Sequence, residues 1–446
     1  MSFPRYPGYK DSGVDWLGDV PVHWAVARMK HAVDSVKNGI WGDDARGDEH
    51  DIACVRVADF DRVGLCVTLE EPTIRNVLPS ERAGRLLQRG DLLLEKSGGG
   101  EQQPVGCVVL YRDDRPAVCS NFVARVTVRQ DADASFWRYT HAAAYSLRLN
   151  TKSVKQTSGI QNLDSQAYFD EPGPFPPLPE QRAIAAFLDR ETAKIDALVA
   201  EQRRLMALLR EQRQAVISHA VTKGLNPEAP MKDSGVEWMG EVPAHWQVVQ
   251  SRRLFKVRSE RARLGDEQLT ASQKYGIVRQ SDFVEWEGRR VVETILGKDN
   301  LLRVEPDDFV ISMRSFQGGI ERSTLRGSIS FHYVMLVPNA LVHPPFFAHL
   351  MKCAPYIQAL QSTTDLIRDG QELRYSHFVK VDLPVVPFDE QVAIAVFLDS
   401  ALQRIDSLMA EAERSLPLLL ERRAALITAA VTGEIDVRSL ALSEAA

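Results

Sequence analysis

The sequence predicts an α+β protein: two mixed α/β domains separated by two long antiparallel coiled-coil helices, related by an internal pseudo-two-fold duplication. Three observations carry this. The segment KDSGVDWLGDVPVHW at 10–24 returns as KDSGVEWMGEVPAHW at 232–246, identical at eleven of fifteen positions. The segment LPEQRAIAAFLDRETAKIDALVAEQ at 178–202 returns as FDEQVAIAVFLDSALQRIDSLMAEA at 388–412. After each of these helix starts, apolar residues recur at intervals of three, four or seven, which lays one apolar stripe along a helix. The order is A–B–A′–B′, with like ends and unlike middles: two scaffolds holding two different surfaces.

Taken in order, residues 1–24 are a lead-in segment in which Pro21 fixes the backbone and Trp24 offers a large apolar anchor. Trp16, Trp24, Trp238 and Trp246 are expected to pack cores, and packing also explains His23 and His245. Residues 25–175 read as the first mixed domain and 247–385 as the second. Short β-rich runs such as Cys107–Tyr111 and Val334–Val337 alternate there with Gly, Asp and Pro turns, and helical stretches lie near 135–148 and 345–361. Residues 176–226 form the central helix, where Pro179 and Glu180 suit the first turn and Gly224 and Pro227 end the run. Glu180 to Thr222 would span about 65 Å at about 1.5 Å per residue.

The stripe of that helix is marked by Ile184, Leu188, Ile195, Leu198, Leu205 and Leu209. Residues 227–246 are a linker and the second lead-in. Residues 386–436 form the C-terminal helix, striped by Ile394, Leu398, Ile405 and Leu408, and 437–446 form a tail. The two stripes are expected to bury each other as an antiparallel pair. Pro417 stands where the first copy has Ala207, and proline inside a helix removes a bond and clashes with the preceding turn. A kink or break near Ser415 is therefore expected.

Composition narrows the class. Hydrophobic residues make up 44% and charged residues 26% of the 446 positions, ordinary globular usage that excludes wholesale disorder. No run approaches the ~18 apolar residues of a membrane span, and MSFPRYPGYKDSG lacks both a signal-peptide core and an Arg-rich amphipathic pattern. A cytoplasmic protein without membrane contact is the expectation. The five cysteines are odd in number and form no C-x-x-C pair, so buried thiols on strands are expected, not disulfides or zinc. The net charge is −6, and residues 386–446 alone hold 10 acidic against 5 basic groups. No domain is strongly basic, so any contact with nucleic acid has to come from clustered loops.

Two pairs of loops stand out. GDLLLEKSGGG at 90–100 resembles DDFVISMRSFQGG at 307–319, allowing one inserted residue. In each, a strand runs into a basic residue, a Ser and glycines. Glycines let backbone N–H groups approach a phosphate, with Lys96, Ser97 and Gly99 or Arg314, Ser315 and Gln317 in position to hold it. The alternative is an ordinary Gly-rich hairpin loop. A second loop precedes each helix: TKSVKQTSGIQNL supplies Lys152, Lys155, Gln156, Ser158, Gln161 and Asn162, and DLIRDGQELRY supplies Arg368, Gln371 and Arg374. Their side chains have the donor and acceptor geometry that suits base edges in the major groove, against the alternative of a solvated surface loop.

Enzyme signatures are missing. The sequence holds no G-x-x-x-x-G-K-[ST] loop, no strand–G-x-G-x-x-G–helix unit and no Asn-Pro-Pro-aromatic or Asp-Pro-Pro-aromatic segment. Asp91, Glu95 and Lys96 do not have the spacing of a metal-dependent nuclease, in which one residue separates the Glu from the Lys.

The Val-Pro-x-His-Trp lead-ins and the Glu-Gln-x-x-Ile-Ala-x-Phe-Leu-Asp helix starts, in this order over nearly the whole chain, resemble the specificity subunit of Type I restriction–modification systems. The resemblance implies two target-recognition domains, 25–175 and 247–385, each reading one half of a split site in double-stranded DNA. It implies two methyltransferase subunits docked on the frame, and restriction motor-nuclease subunits that join for cleavage. S-adenosylmethionine, ATP and Mg2+ would belong to those partners, leaving no catalytic residue, metal or cofactor in this chain. Pro417 and the Phe388-Asp389 pair in place of Leu178-Pro179 depart from the pattern. Two rival readings are a self-contained DNA methyltransferase or nuclease, and a coiled-coil adaptor that binds only protein.

Overall fold

The computed structural model describes residues 3–157, 159–288, 301–312, 315–363 and 373–438. The chain divides into two compact units, one made of residues up to Arg203 together with those from Glu413 onward, the other of Arg204–Ala412.

In the first unit the lead-in folds into a hairpin, Tyr9–Asp11 against Asp19–Pro21. Strand Ala25–Arg28 then pairs antiparallel with Pro172–Phe175, so the two ends of the 25–175 region lie side by side. Between those ends, the alternation of apolar residues builds a six-stranded sheet in the order Val33–Asn38, Val123–Val128, Leu92–Glu95, Val108–Leu110, Cys66–Val67 and Phe60–Asp61. Its central strand, Leu92–Glu95, is buried throughout, as a strand covered on both faces must be. Helix Ala134–Ser146 places Phe136, Trp137 and Tyr139 in a core shared with Trp24, Ile184 and Leu188.

The second unit repeats these moves with different details. Met231–Asp233 pairs with Glu241–Pro243, and Gln247–Gln250 pairs with Asp382–Val385, again bringing the ends of a region together. Its largest sheet has four strands, ordered Phe255–Arg258, Val334–Pro338, Phe309–Ile311 and Glu321–Arg322. The expected helix near 345–361 is two, Pro344–Leu350 and Ala354–Ser362. All five cysteines are free thiols. Cys54, Cys66 and Cys119 lie on strands, whereas Cys107 precedes one and Cys353 caps a helix.

The repeated motifs explain one another. The Glu180 carboxylate accepts hydrogen bonds from the Tyr6 hydroxyl at 2.6 Å and from Trp24 Nε1 at 3.1 Å, and His23 Nε2 lies 2.9 Å away. Burial and the adjoining Glu180 carboxylate push the Tyr6 hydroxyl well above its ordinary pKa, so it stays a donor. Gln181 accepts from the Asp133 N–H at 2.9 Å and donates to the Pro176 carbonyl, tying the first turn of the helix to the domain. In the second unit Glu390 receives Trp246 Nε1 at 3.1 Å with His245 Nε2 at 2.8 Å, and Gln391 bonds the His343 N–H. The Trp and His residues thus pack the frame, each tryptophan spending its one N–H on the carboxylate that opens the helix.

The long helices run from Leu178 to Lys223 and from Phe388 to Thr432. No helix among the described residues is long and apolar enough to cross a membrane. In the first unit Ile427, Ala430 and Val431 share the core of Ile184 and Leu188, and Arg423 donates to Asp196 at 2.8 Å. In the second, Ile217, Ala220 and Val221 share the core of Ile394 and Leu398, and Arg213 donates to Asp406 at 3.0 Å.

The stripe differs from the expected one in part. Ile195, Leu209 and Ile405 are buried, but Leu198, Leu205 and Leu408 are exposed at 51%, 40% and 51%. The buried positions are Thr192, Ile195, Val199, Met206 and Leu209, spaced by alternating threes and fours with Gln202 half-buried between them. Leu198 and Leu205 stand one residue, about 100°, off that seam, and leucines on both sides of a seam cannot be told apart by type alone. No break occurs at Pro417, because the helix is continuous through it. Pro417 and Glu413, one turn before it, both sit on the exposed face.

Candidate nucleic-acid interface

The Gly-rich loop of the first unit begins at a turn. Asp91 Oδ2 accepts from the Gln88 N–H at 2.6 Å and from Arg125 Nε at 2.7 Å, which sets the start of the Leu92–Glu95 strand. At the strand's end Glu95 is 1% exposed, and Arg62 donates to its Oε2 at 2.9 Å. Burial pushes the Glu95 carboxyl up, against the pull of Arg62. Both carboxylates of the Asp91–Glu95 stretch are therefore held by guanidiniums.

Beyond Glu95 the chain turns outward, and Ser97–Gly98 forms a short strand against Ile160–Leu163, which in turn pairs with Val154–Thr157. The two loops singled out in the sequence become one three-stranded sheet. Ser97 stands opposite Asn162, and its hydroxyl donates to Asn162 Oδ1 at 2.6 Å. Lys96 Nζ donates to Asn38 Oδ1 at 2.6 Å, and Lys155 Nζ reaches Asp164 at 2.7 Å. Lys155 and Asn162, paired across the strands, are exposed on one face of this sheet; Gln156, opposite Gln161, and Lys152, in the turn before the sheet, are exposed as well. Gly99 has φ +62°, and a Cβ there would lie 2.7 Å from the Val105 nitrogen, so glycine is required at this approach.

Gln161 does not belong to that face. It is 8% exposed, and its Oε1 accepts from the Val105 N–H at 3.2 Å, pinning the loop from within. Strand alternation puts Ile160 and Asn162 outside and Gln161 and Leu163 inside. Ser158 lies outside the described residues.

In the second unit Arg314, Arg368 and Gln371 lie outside the described residues. The opening turn matches that of the first unit: Asp308 Oδ2 accepts from the Glu305 N–H at 2.9 Å and from Arg258 Nε at 2.8 Å. Past that turn and its strand the two units diverge, since Ser315–Gly318 is a short helix where the first unit has a strand. Ser315 is 1% exposed and its hydroxyl accepts from the Ser312 N–H at 2.8 Å, so it shapes the turn and is not open to a phosphate. The inserted residue in this copy gives the turn room to wind. Gln317 is exposed and accepts from Gln273 at 3.4 Å; Arg374 is exposed beside the short helix Tyr375–Phe378.

Sequence reasoning missed two groups. The first is the pair Glu180 and Gln181 with its counterpart Glu390 and Gln391, whose signal was their identity in both copies. The second lines a cavity of about 480 Å³ beside the Gly-rich loop, walled by Trp41, Arg56, Glu95, Gly98, Ser120 and Phe122 among others. These come from scattered segments and carry no spacing signal.

No protein-family profile matches the chain. Among curated proteins, the Type I restriction enzyme EcoBI specificity subunit of Escherichia coli is 23% identical over 338 residues, covering 72% of this chain and 70% of that protein. The Type I restriction enzyme MjaVIII specificity subunit of Methanocaldococcus jannaschii is 22% identical over 310 residues, covering 66% and 70%. Among solved structures, the HsdS subunit from Thermoanaerobacter tengcongensis superposes with a TM-score of 0.53 at 14% identity, over 93% of this chain and 98% of that one. A chain from a structure described as showing complex assembly and conformational transition of the type I R-M system gives a TM-score of 0.63 at 16% identity, over 92% and 98%. By sequence over 72% of its length and by fold over more than nine-tenths of it, the chain is similar to the specificity subunits of Type I restriction–modification systems.

Proposed function

We propose that this chain is the DNA sequence-recognition subunit of a Type I restriction–modification complex, reading a bipartite site in duplex DNA with residues 25–175 and 247–385. The observation that carries this reading is the Ser97–Gly98, Ile160–Leu163, Val154–Thr157 sheet, which joins two separately predicted loops and presents Lys155 and Asn162 side by side, with Gln156 exposed at its edge. Lys groups of such a face fix register on phosphates, and amides read base edges.

The helices act as an antiparallel coiled-coil pair in a duplicated frame. The buried threes-and-fours spacing and the Arg423–Asp196 and Arg213–Asp406 ion pairs support that pairing. The chain itself is non-catalytic and works in the cytoplasm. It positions two adenine-N6 methyltransferase subunits, which bring S-adenosylmethionine, and motor-nuclease subunits, which bring ATP and Mg2+. The reading is tested by genome-wide methyladenine mapping with and without the gene. A split methylated motif that disappears with the gene is expected, and an unchanged map refutes it.

At the level of side chains, Lys96→Ala combined with Lys155→Ala is expected to weaken DNA binding. It should also lower the slope of log affinity against log salt by about 0.9 for each phosphate that is no longer neutralised. A salt titration that overlays the wild type removes these lysines from the interface.

A further inference from the structure

The cavity beside the Gly-rich loop has features that the frame does not use. Its mouth carries two aromatic side chains that remain substantially exposed, Trp41 at 38% and Phe122 at 46%. Trp41 is held in place, with the Arg75 guanidinium 4.6 Å from its ring centroid and Arg75 Nε donating to the Trp41 carbonyl at 3.1 Å. Two buried polar groups line the cavity. The Ser120 hydroxyl is 1% exposed and has no hydrogen-bond partner. Glu95 is equally buried, and Arg62 donates to its Oε2. Its Oε1 lies 3.9 Å from where a Cβ on Gly98 would stand, and Gly98, at φ +120°, puts no side chain between the carboxylate and the cavity.

A buried hydroxyl left without a partner costs folding free energy. A site that bears such a cost between aromatic walls is built for a planar polar group from outside. The cavity adjoins Ser97 and Gly98, whose strand joins the proposed DNA-reading face. We infer that this cavity is the base-specific pocket of the first domain, and that it takes an amino-bearing base of the half-site, cytosine or adenine. Glu95 Oε1 accepts the exocyclic amine, the Ser120 hydroxyl completes the contact, and Trp41 and Phe122 border the mouth beside the base edge. A carboxylate offers only acceptors, so at the major-groove edge it attracts the amine of cytosine or adenine and repels thymine O4 and guanine O6. Discrimination comes from that repulsion as much as from the bond. The inference rests on the recognition reading proposed above.

The test is methyladenine mapping in cells carrying the whole chain with Glu95→Gln or with Ser120→Ala. Glutamine keeps the shape but adds a donor, so carbonyl-bearing bases become acceptable. At one base pair of the half-site read by residues 25–175, Glu95→Gln should relax the base preference at least about tenfold, leaving the other half-site unchanged. Ser120→Ala should relax the same base pair with no change in melting temperature. If Glu95→Gln does not accumulate as folded protein, the Ser120→Ala map decides. Maps identical to wild type, or relaxation confined to the other half-site, overturn the pocket while the recognition reading stands. A wild-type map with no dependence on the chain overturns both.

Discussion

Exchanging residues 25–175 for the equivalent region of a Type I restriction enzyme specificity subunit is expected to rewrite one half of the methylated motif and leave the other half intact. Both junctions favour this. Ala25–Arg28 and Pro172–Phe175 pair with each other, so the exchanged segment carries its own closing strands. His23, Trp24 and Glu180, which bond one another, lie just outside the segment, so the frame keeps that cluster, while Asp133 and Tyr139 inside it bond Gln181 and Asp189 of the helix. Within the segment are the six-stranded sheet and the whole Lys96 to Asn162 face. Methylome sequencing of cells carrying the exchange reads the result directly. A motif altered in both halves, or in neither, would show that recognition is not divided between the two regions.

Glu180→Ala is expected to be the most destabilising single substitution in the frame, lowering the unfolding free energy by about 3 kcal/mol or more. The carboxylate is 6% exposed and serves Tyr6, Trp24 and His23 together. Removing it leaves the Tyr6 hydroxyl and the Trp24 N–H buried without an acceptor, and each such donor costs about 1–3 kcal/mol. Glu390→Ala should cost less, because Glu390 serves only Trp246 and His245 and is more exposed. Denaturant melts of the two variants check the order. A Glu180→Ala loss below about 1 kcal/mol, or the reverse ranking, would mean that packing alone holds the lead-in.

The frame was legible in the sequence because duplication gives two independent views of the same physics. Trp24 and Glu180, and Trp246 and Glu390, stand at matching places in both copies, and in each unit that pair forms a hydrogen bond. The phase of the helix seam was harder to read. Leu198 and Val199 are both apolar, yet Val199 is buried and Leu198 exposed, and residue type alone does not say which. In the first unit the two loops picked out by composition meet in one sheet, but composition did not give the facing of each side chain. Gln161 and Asn162 differ in role because they are neighbours on a strand, which pairs with Val154–Thr157 on one side and with the sequence-distant Ser97–Gly98 on the other. Similar wording misled in the second unit, where one added residue winds Ser315 into a helix and buries its hydroxyl. Trp41, Ser120 and Phe122 gave no signal, since a cavity gathered from separate turns has no period.

The way the chain is divided also orders its birth on the ribosome. The first unit needs Ile427, Ala430 and Val431 to complete the core around Ile184 and Leu188, while the second is one uninterrupted stretch, Arg204–Ala412. At translation rates of about 5–20 residues per second, the first unit waits roughly 10–40 s between the emergence of its early part and the arrival of its last helix turns. The domain made first is therefore finished last, and during that interval its apolar groove lies bare to chaperones and to neighbouring nascent chains.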